Sequence, residues 1–316
     1  MAQSLAGEAW RRLLKNRMAV MGGLLIVVVG LIAFTADWIA SPLLGYRFDQ
    51  QELSRQNEGP SRDHLCGTDN KGRDLLVRII YGGKVSLSVG ILATLVSLCI
   101  GVAYGSVSGY AGGATDNVMM RVVDILYALP FMFFVILLMT LAEDFTIAMN
   151  NAIEAAVKAG TGTWIEAFKF KRIYFIFVAL GAIQWLTMSR ITRGQILSLK
   201  QKEFVEAARA LGATNRRILT SHLVPNLLGP VIVYTTLTVP AVMLEEAFLS
   251  FLGLGIQAPD ASWGSLAADG AASINPIRVY WWLVVFPGTA LAMTLFSLNF
   301  LGDGLRDALD PRLRNR

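Results

Sequence analysis

The chain has 316 residues, 54% of them hydrophobic and only 16% charged, and its mean hydropathy is +0.51. Soluble globular domains carry about 25% charged residues, so this composition excludes an ordinary soluble enzyme or binding domain and reads as an integral membrane protein. The net charge of +5 comes from Lys and Arg at the ends of apolar runs, a pattern that fits orientation in a bilayer and argues against nucleic acid as a partner.

Residues 1–17 form a basic amphipathic start in which Arg11, Arg12, Lys15 and Arg17 follow Trp10. Residues 18–36 carry no charge and end in no small-residue cleavage pattern, so they read as a retained first span. Residues 37–84 are a long polar connection whose Gly and Asp residues favour turns. The second span is expected at 85–108. In it Gly101, Gly105 and Gly109 recur on one helix face, either for close packing inside the subunit or for a dimer contact. A third span is expected at 117–141, kinked or broken at Pro130, with Arg121 and Asp124 placed to pair. Residues 143–172 read as a polar insert too charged to span, whose first part, 145–157, has the spacing of a helix on the membrane surface. The fourth span is 173–189. The fifth begins at 226–244, is interrupted by Glu245 and Glu246, and continues to 254. The sixth is 279–302, with Pro287 inside it.

This gives an all-α membrane protein with six transmembrane helices. Residues 1–84 hold the basic start, first span and outer loop, residues 85–305 the five-span core, and residues 306–316 a polar tail. With six spans, both termini and residues 190–225 share one side, and that side holds the majority of the 28 Lys and Arg residues. The positive-inside rule makes it the cytoplasm.

Catalytic patterns fail on inspection. The Gly82–Ser86 stretch lacks the first Gly of a phosphate loop and has Val85 where Ser or Thr should follow Lys84. Val107 occupies the nucleophile position of the pattern around Gly105 and Gly109. Cys66 and Cys99 make no disulfide framework, and His64 and His222 have no companions for a metal site. Glu245 and Glu246 are costly inside a span, so they face a cavity, pathway or partner, unless the helix has already reached the outer interface.

The most specific stretch is 203–225, EFVEAARALGATNRRILTSHLVP. It is a polar island between two apolar runs. Phe204, Ala208 and Leu211 fall on one helical face, with Ala207 keeping the neighbouring surface low. Gly212 permits a tight turn and Thr214 can cap the helical segment after it. Ile218, Leu219, His222 and Leu223 make a second apolar face. Two short helices joined at a Gly turn are shaped to seat in a partner.

The E-A-A, Gly and terminal hydrophobic-Pro pattern of this stretch resembles the permease subunits of bacterial ABC importers, most closely the C-type subunit of the dipeptide/oligopeptide (and nickel) branch. The likeness extends to residues 67–74, 118–124, 193–199, 250–255, 262–264 and 302–311, and the run 130–138 leans toward oligopeptide permeases. It implies the type I permease fold and a non-catalytic subunit of the bacterial cytoplasmic (inner) membrane. The implied partners are a second homologous permease, two ABC ATPases that bind ATP and Mg, and an extracytoplasmic peptide-binding protein, with no cofactor bound by this chain. It also implies that residues 203–225 are coupling helices, with Phe204, Glu206, Ala207, Ala208, Arg209, Gly212 and Arg216 at the ATPase contact. The substrate class implied is peptides, with dipeptides, nickel or another small solute as the alternative. The insert at 143–172 and the doubled Glu245–Glu246 depart from the family pattern.

Overall fold

The computed structural model describes residues 5–39, 44–158, 172–274 and 277–309. Its helices in chain order are α1 (Leu5–Lys15), α2 (Arg17–Phe34), α3 (Ala36–Ile39), α4 (Leu75–Ala111), α5 (Gly113–Ala128), α6 (Phe131–Lys158), α7 (Arg172–Leu199), α8 (Glu203–Ala210), α9 (Asn215–Arg217), α10 (Val224–Asn226), α11 (Leu228–Phe251), α12 (Trp263–Ala272) and α13 (Trp282–Leu309). A 3₁₀ turn at Leu53–Arg55 and a π turn at Ile218–Leu223 complete them. Among the described residues there is no β-strand, only the isolated bridge between Thr68 and Asp74.

Six of these helices are long and apolar enough to cross a membrane: α2, α4, residues 133–158 of α6, residues 174–199 of α7, α11 and α13. Their ends differ from the expected spans for identifiable reasons. At 1.5 Å per residue, α4 is about 55 Å long, far beyond the roughly 30 Å hydrocarbon core. Residues 85–108 are therefore only the apolar middle of a helix that starts ten residues earlier. The expected third span is two helices. Leu129, held extended (ψ 131°) before Pro130, ends α5 outright instead of kinking it. The crossing helix then starts beyond the proline, and nothing breaks it before Lys158. Residues 145–157 are thus the second half of α6 and not a separate surface helix. The remainder of the 143–172 insert lies largely outside the described residues.

The chain divides into two compact units, residues 1–91 with 229–316 and residues 92–228. In the first, α13 packs on α2, α12 and α1. Asn16 caps α2 by accepting from the Ala19 amide at 3.2 Å. Ala33, Leu87, Met243, Trp263 and Leu298 form its core. Backbones close in at small residues: a Cβ on Gly22 would lie 2.6 Å from the Ser297 carbonyl oxygen. In the second unit α7 packs on α5 and α6. Gly101, Gly105 and Gly109 lie against Met188, Ser189, Thr192, Arg193 and Ile196 of α7, and a Cβ on Gly101 would meet the Met188 side chain at 2.5 Å. The stripe is a helix-packing face inside the subunit.

Candidate functional site

The 203–225 segment is a folded element with an inside and an outside. Glu203 and Glu206 occupy the first turn of α8 and Arg209 its last, each matched to the helix dipole. The helix closes as a Schellman motif. Gly212 takes φ +80°, its amide donates to the Arg209 carbonyl at 2.9 Å, and the Ala213 amide donates to Ala208 at 3.0 Å. Thr214 then caps α9 by accepting from the Arg217 amide at 3.4 Å. Ahead of Pro225, which has no N–H to give, the ladder slips to a π turn in which Val224 donates to Leu219. The Asn226 side chain satisfies the His222 carbonyl at 2.6 Å.

Val205, Ala208, Ile218 and Leu223 are buried, and α8 packs on the π turn. Ala208 therefore faces inward with Val205 and is not on the expected outer face. The outward stripe is Phe204, Ala207 and Leu211, at spacings that share one side of the helix. Leu211 is 88% exposed and Phe204 39%. Glu206, Arg209, Gly212 and Arg216 are exposed around that stripe.

The segment is bolted to the helices beside it. Tyr110, at the end of α4, donates from its hydroxyl to Asn215 Oδ1 at 2.7 Å, and Lys200 Nζ donates to the Tyr110 carbonyl at 2.6 Å. Nearby, Asp116 on α5 accepts from Arg193 Nε and Nη2 at 2.6 Å each and from Ser108 at 2.5 Å. The Arg193 guanidinium, opposed by partial burial and helped by Ser108, holds the Asp116 carboxyl below its ordinary value. Asp124 accepts from Arg190 at 2.8 Å and so does not form the expected pair with Arg121. These links join α4, α5, α7 and the 203–225 segment across up to 105 residues of sequence, which no local pattern reveals.

At the end of α11 in the first unit, Glu246 is 1% exposed. Its Oε1 accepts from Ser250 at 2.8 Å and from Ser262 at 2.7 Å. Ser262 also forms the capping box of α12 with Ser265. Glu246 is thus a brace between α11 and α12 and not a group facing an open pathway; Glu245 beside it is half-buried. Its two hydroxyl donors are what make burial of the carboxylate tolerable.

A third polar constellation escaped sequence reading. Asp69 Oδ2 accepts from Arg73 Nε at 2.7 Å and Arg78 Nη1 at 2.6 Å, while its Oδ1 accepts the amides of Lys71 at 2.8 Å and Arg73 at 3.0 Å. Burial alone would push this carboxyl up, but Arg78, Arg73 and the two amides hold it below its ordinary value. Beside them Asp269 is pushed up by burial against the pull of Arg78 and Arg73. The available signal was the spacing Asp69, Arg73, Arg78, together with Gly72, whose φ of +68° folds the loop onto the Glu52 backbone. His64 completes the loop, with Nδ1 2.8 Å from Asp74 and Nε2 2.9 Å from Arg55. Among the described residues no group of three or more His, Cys, Asp or Glu is arranged to hold a metal.

Six apolar helices and a compact polar element between the fourth and fifth define a type I permease subunit. More particularly, the chain belongs to the family described as binding-protein-dependent transport system inner membrane component, which it matches over residues 101–315. Residues 4–60 match the N-terminal transmembrane domain of oligopeptide transport permease C. The chain is 44% identical over 314 residues to the oligopeptide transport system permease protein OppC of Haemophilus influenzae, covering 99% of this chain and 90% of that protein. It is 45% identical to the protein of the same name from Escherichia coli, covering 99% and 93%. It is 44% identical to the dipeptide transport system permease protein DppC of Bacillus subtilis, covering 98% and 87%. The chain is therefore a multi-pass inner-membrane permease.

Proposed function

We propose that this chain is one of two permease subunits of an ATP-driven peptide importer. The observation that carries this reading is its likeness, over nearly the whole chain, to permeases named for oligopeptide and dipeptide transport. Both termini and residues 203–225 face the cytoplasm. Two separate ATPases bind ATP and Mg, and this chain contributes no catalytic group. An extracytoplasmic binding protein delivers the peptide.

The Phe204, Ala207 and Leu211 stripe seats in a groove of one ATPase, and Glu206, Arg209 and Arg216 make the polar contacts around it. Closure of the ATPases displaces the segment. The Schellman turn and the Tyr110, Lys200 and Asn215 links then pass that displacement into α4 and α7 instead of absorbing it in a loop. Coupling of this kind needs contacts that differ between the two states, and a rigid element between two helices supplies them.

The test is purification in mild detergent, identification of the copurifying chains, and peptide uptake by proteoliposomes. The reading requires ATPases in the complex and uptake that needs both ATP and the binding protein. Uptake by this chain without an ATPase would overturn it. Because the oligopeptide and dipeptide relatives are about equally similar, uptake of dipeptides against longer peptides decides between them. A Cys at Asn215 should resist an impermeant reagent in intact spheroplasts; ready labelling would reverse the topology.

A further inference from the structure

The first unit holds an apolar groove of about 400 Å³ to which the transport reading gives no role. Met18, Met21, Leu25 and Val28 of α2 wall it on one side and Phe300 of α13 on the other. Its floor is Gly22 against Ser297, where the two backbones close in. Ser297 is the one polar side chain in the lining, and its hydroxyl already donates to the Met293 carbonyl at 2.7 Å. The groove therefore offers nothing to a polar ligand. From Met18 to Val28 it runs about 15 Å along α2. Its volume over that length leaves a width of roughly 5 Å, room for an acyl chain and too little for a helix about 10–12 Å across.

One end of the groove is charged. Arg17 is exposed and shares a face of α2 with Met21 and Val28, at helical spacing. Ahead of it α1 packs Ala9 and Leu13 against Ala19, Leu305 and Ala308, and leaves Trp10, Leu14, Arg11 and Lys15 exposed. Apolar residues flanked by cations on an exposed helix surface are the pattern of a helix lying among lipid headgroups. In α1 and the first turn of α2, Arg11, Arg12, Lys15 and Arg17 stand with a single acid, Glu8. At the end of α13, Asp303 and Asp307 against Arg306 leave the balance positive. An apolar groove that opens beside exposed cations matches the two ends of one molecule, and basic sites between membrane helices take anionic headgroups. We infer that α1, α2 and α13 form a site for an anionic phospholipid of the leaflet on the N-terminal side. Its acyl chain lies in the groove and its phosphate is received by Lys15 and Arg17. The site needs only that α2 spans the bilayer and stands apart from the importer reading.

The test uses the complete transporter in phosphatidylcholine vesicles that contain a trace of phosphatidylglycerol or phosphatidylcholine carrying a diazirine on its acyl chain. On illumination the diazirine loses dinitrogen and bonds to the residue beside it, and peptide mapping locates the product. The phosphatidylglycerol probe should label residues 18–28 or 297–300 about threefold or more above the phosphatidylcholine probe, since each basic residue near a membrane surface favours anionic lipid severalfold. The excess should fall by about half or more in Lys15→Gln/Arg17→Gln, which changes two exposed side chains. Salt, which needs no variant, should shrink the wild-type excess in the same direction. A smaller wild-type excess, or none, would overturn the site and leave only the ordinary lipid coat of a span. Labelling confined to other helices, or an undiminished excess in the double variant, would also overturn it. Labelling of the chain alone that vanishes in the complete transporter would give the groove to the second permease and overturn the site as well.

Discussion

Asp69, Arg73 and Arg78 are buried in the first unit and bridged to one another, whereas Glu206, Arg209 and Arg216 stand exposed on the second. The first set fixes a loop: its carboxylate is fully used, and Gly72 and Gly67 turn the chain tightly enough to bury it. The second set rides on a scaffold closed by Val205, Ala208, Ile218 and Leu223. Charge turned inward holds a shape, while charge turned outward beside an exposed Leu211 waits for another protein.

Breaking the inward set should therefore cost stability, and breaking the outward set should cost only assembly. The largest effect is expected for Asp69→Asn. It leaves two buried guanidiniums without their counter-ion, and a broken buried pair costs about 3–5 kcal/mol. Thermal unfolding in detergent should show a steep loss, and an unchanged midpoint would mean that the bridges carry no stability. Because the Asp69 carboxyl lies below its ordinary value of 3.8, the bridge's contribution is full above that pH and is lost as pH falls through the lowered value.

Asp116→Ala in the second unit should cost less, about 1–2 kcal/mol, since Arg193 is one-third exposed and water replaces part of what it loses. A midpoint as low as that of Asp69→Asn would erase the distinction between the two regions. Gly212→Ala should cost about 1 kcal/mol for placing a side chain at φ +80°. No atom of this chain outside its immediate neighbours lies within 4 Å of the added Cβ, so the subunit should still fold and insert. Abolished uptake would mean that Gly212 itself is in the ATPase contact.

The smallest effect, and one of opposite sign, is expected for Asp269→Asn. Burial raises this carboxyl above 3.8, so the folded state binds its proton more readily than the unfolded chain. Its contribution is present below 3.8 and lost as pH rises through the raised value. The variant should accordingly gain stability over wild type at neutral pH and none in acid. An equal gain at every pH would point to a packing effect.

The spans were legible because about 20 apolar residues have few other uses. Their ends were not: the decision at Pro130 between a kink and a stop depends on what packs around it, and α6 runs through Glu143 and Asp144 because nothing local halts it. In the coupling segment the Gly212 turn and the Thr214 cap could be read from residue type, since each is a local backbone requirement. The placement of Ala208 could not. One helical face holds both Phe204 and Leu211, and only the position of the π turn decides that Val205 and Ala208 are the residues buried. The Asp116–Arg193 and Asp69–Arg78 contacts needed the fold itself.

The most direct test of the central claim is Ala207→Asp. Ala207 is exposed on α8, so the change should leave membrane insertion and subunit stability intact while placing a charge in the middle of the apolar stripe. The account predicts that the ATPases no longer copurify and that ATP-driven uptake is lost. ATPase copurification and uptake at wild-type levels would contradict it.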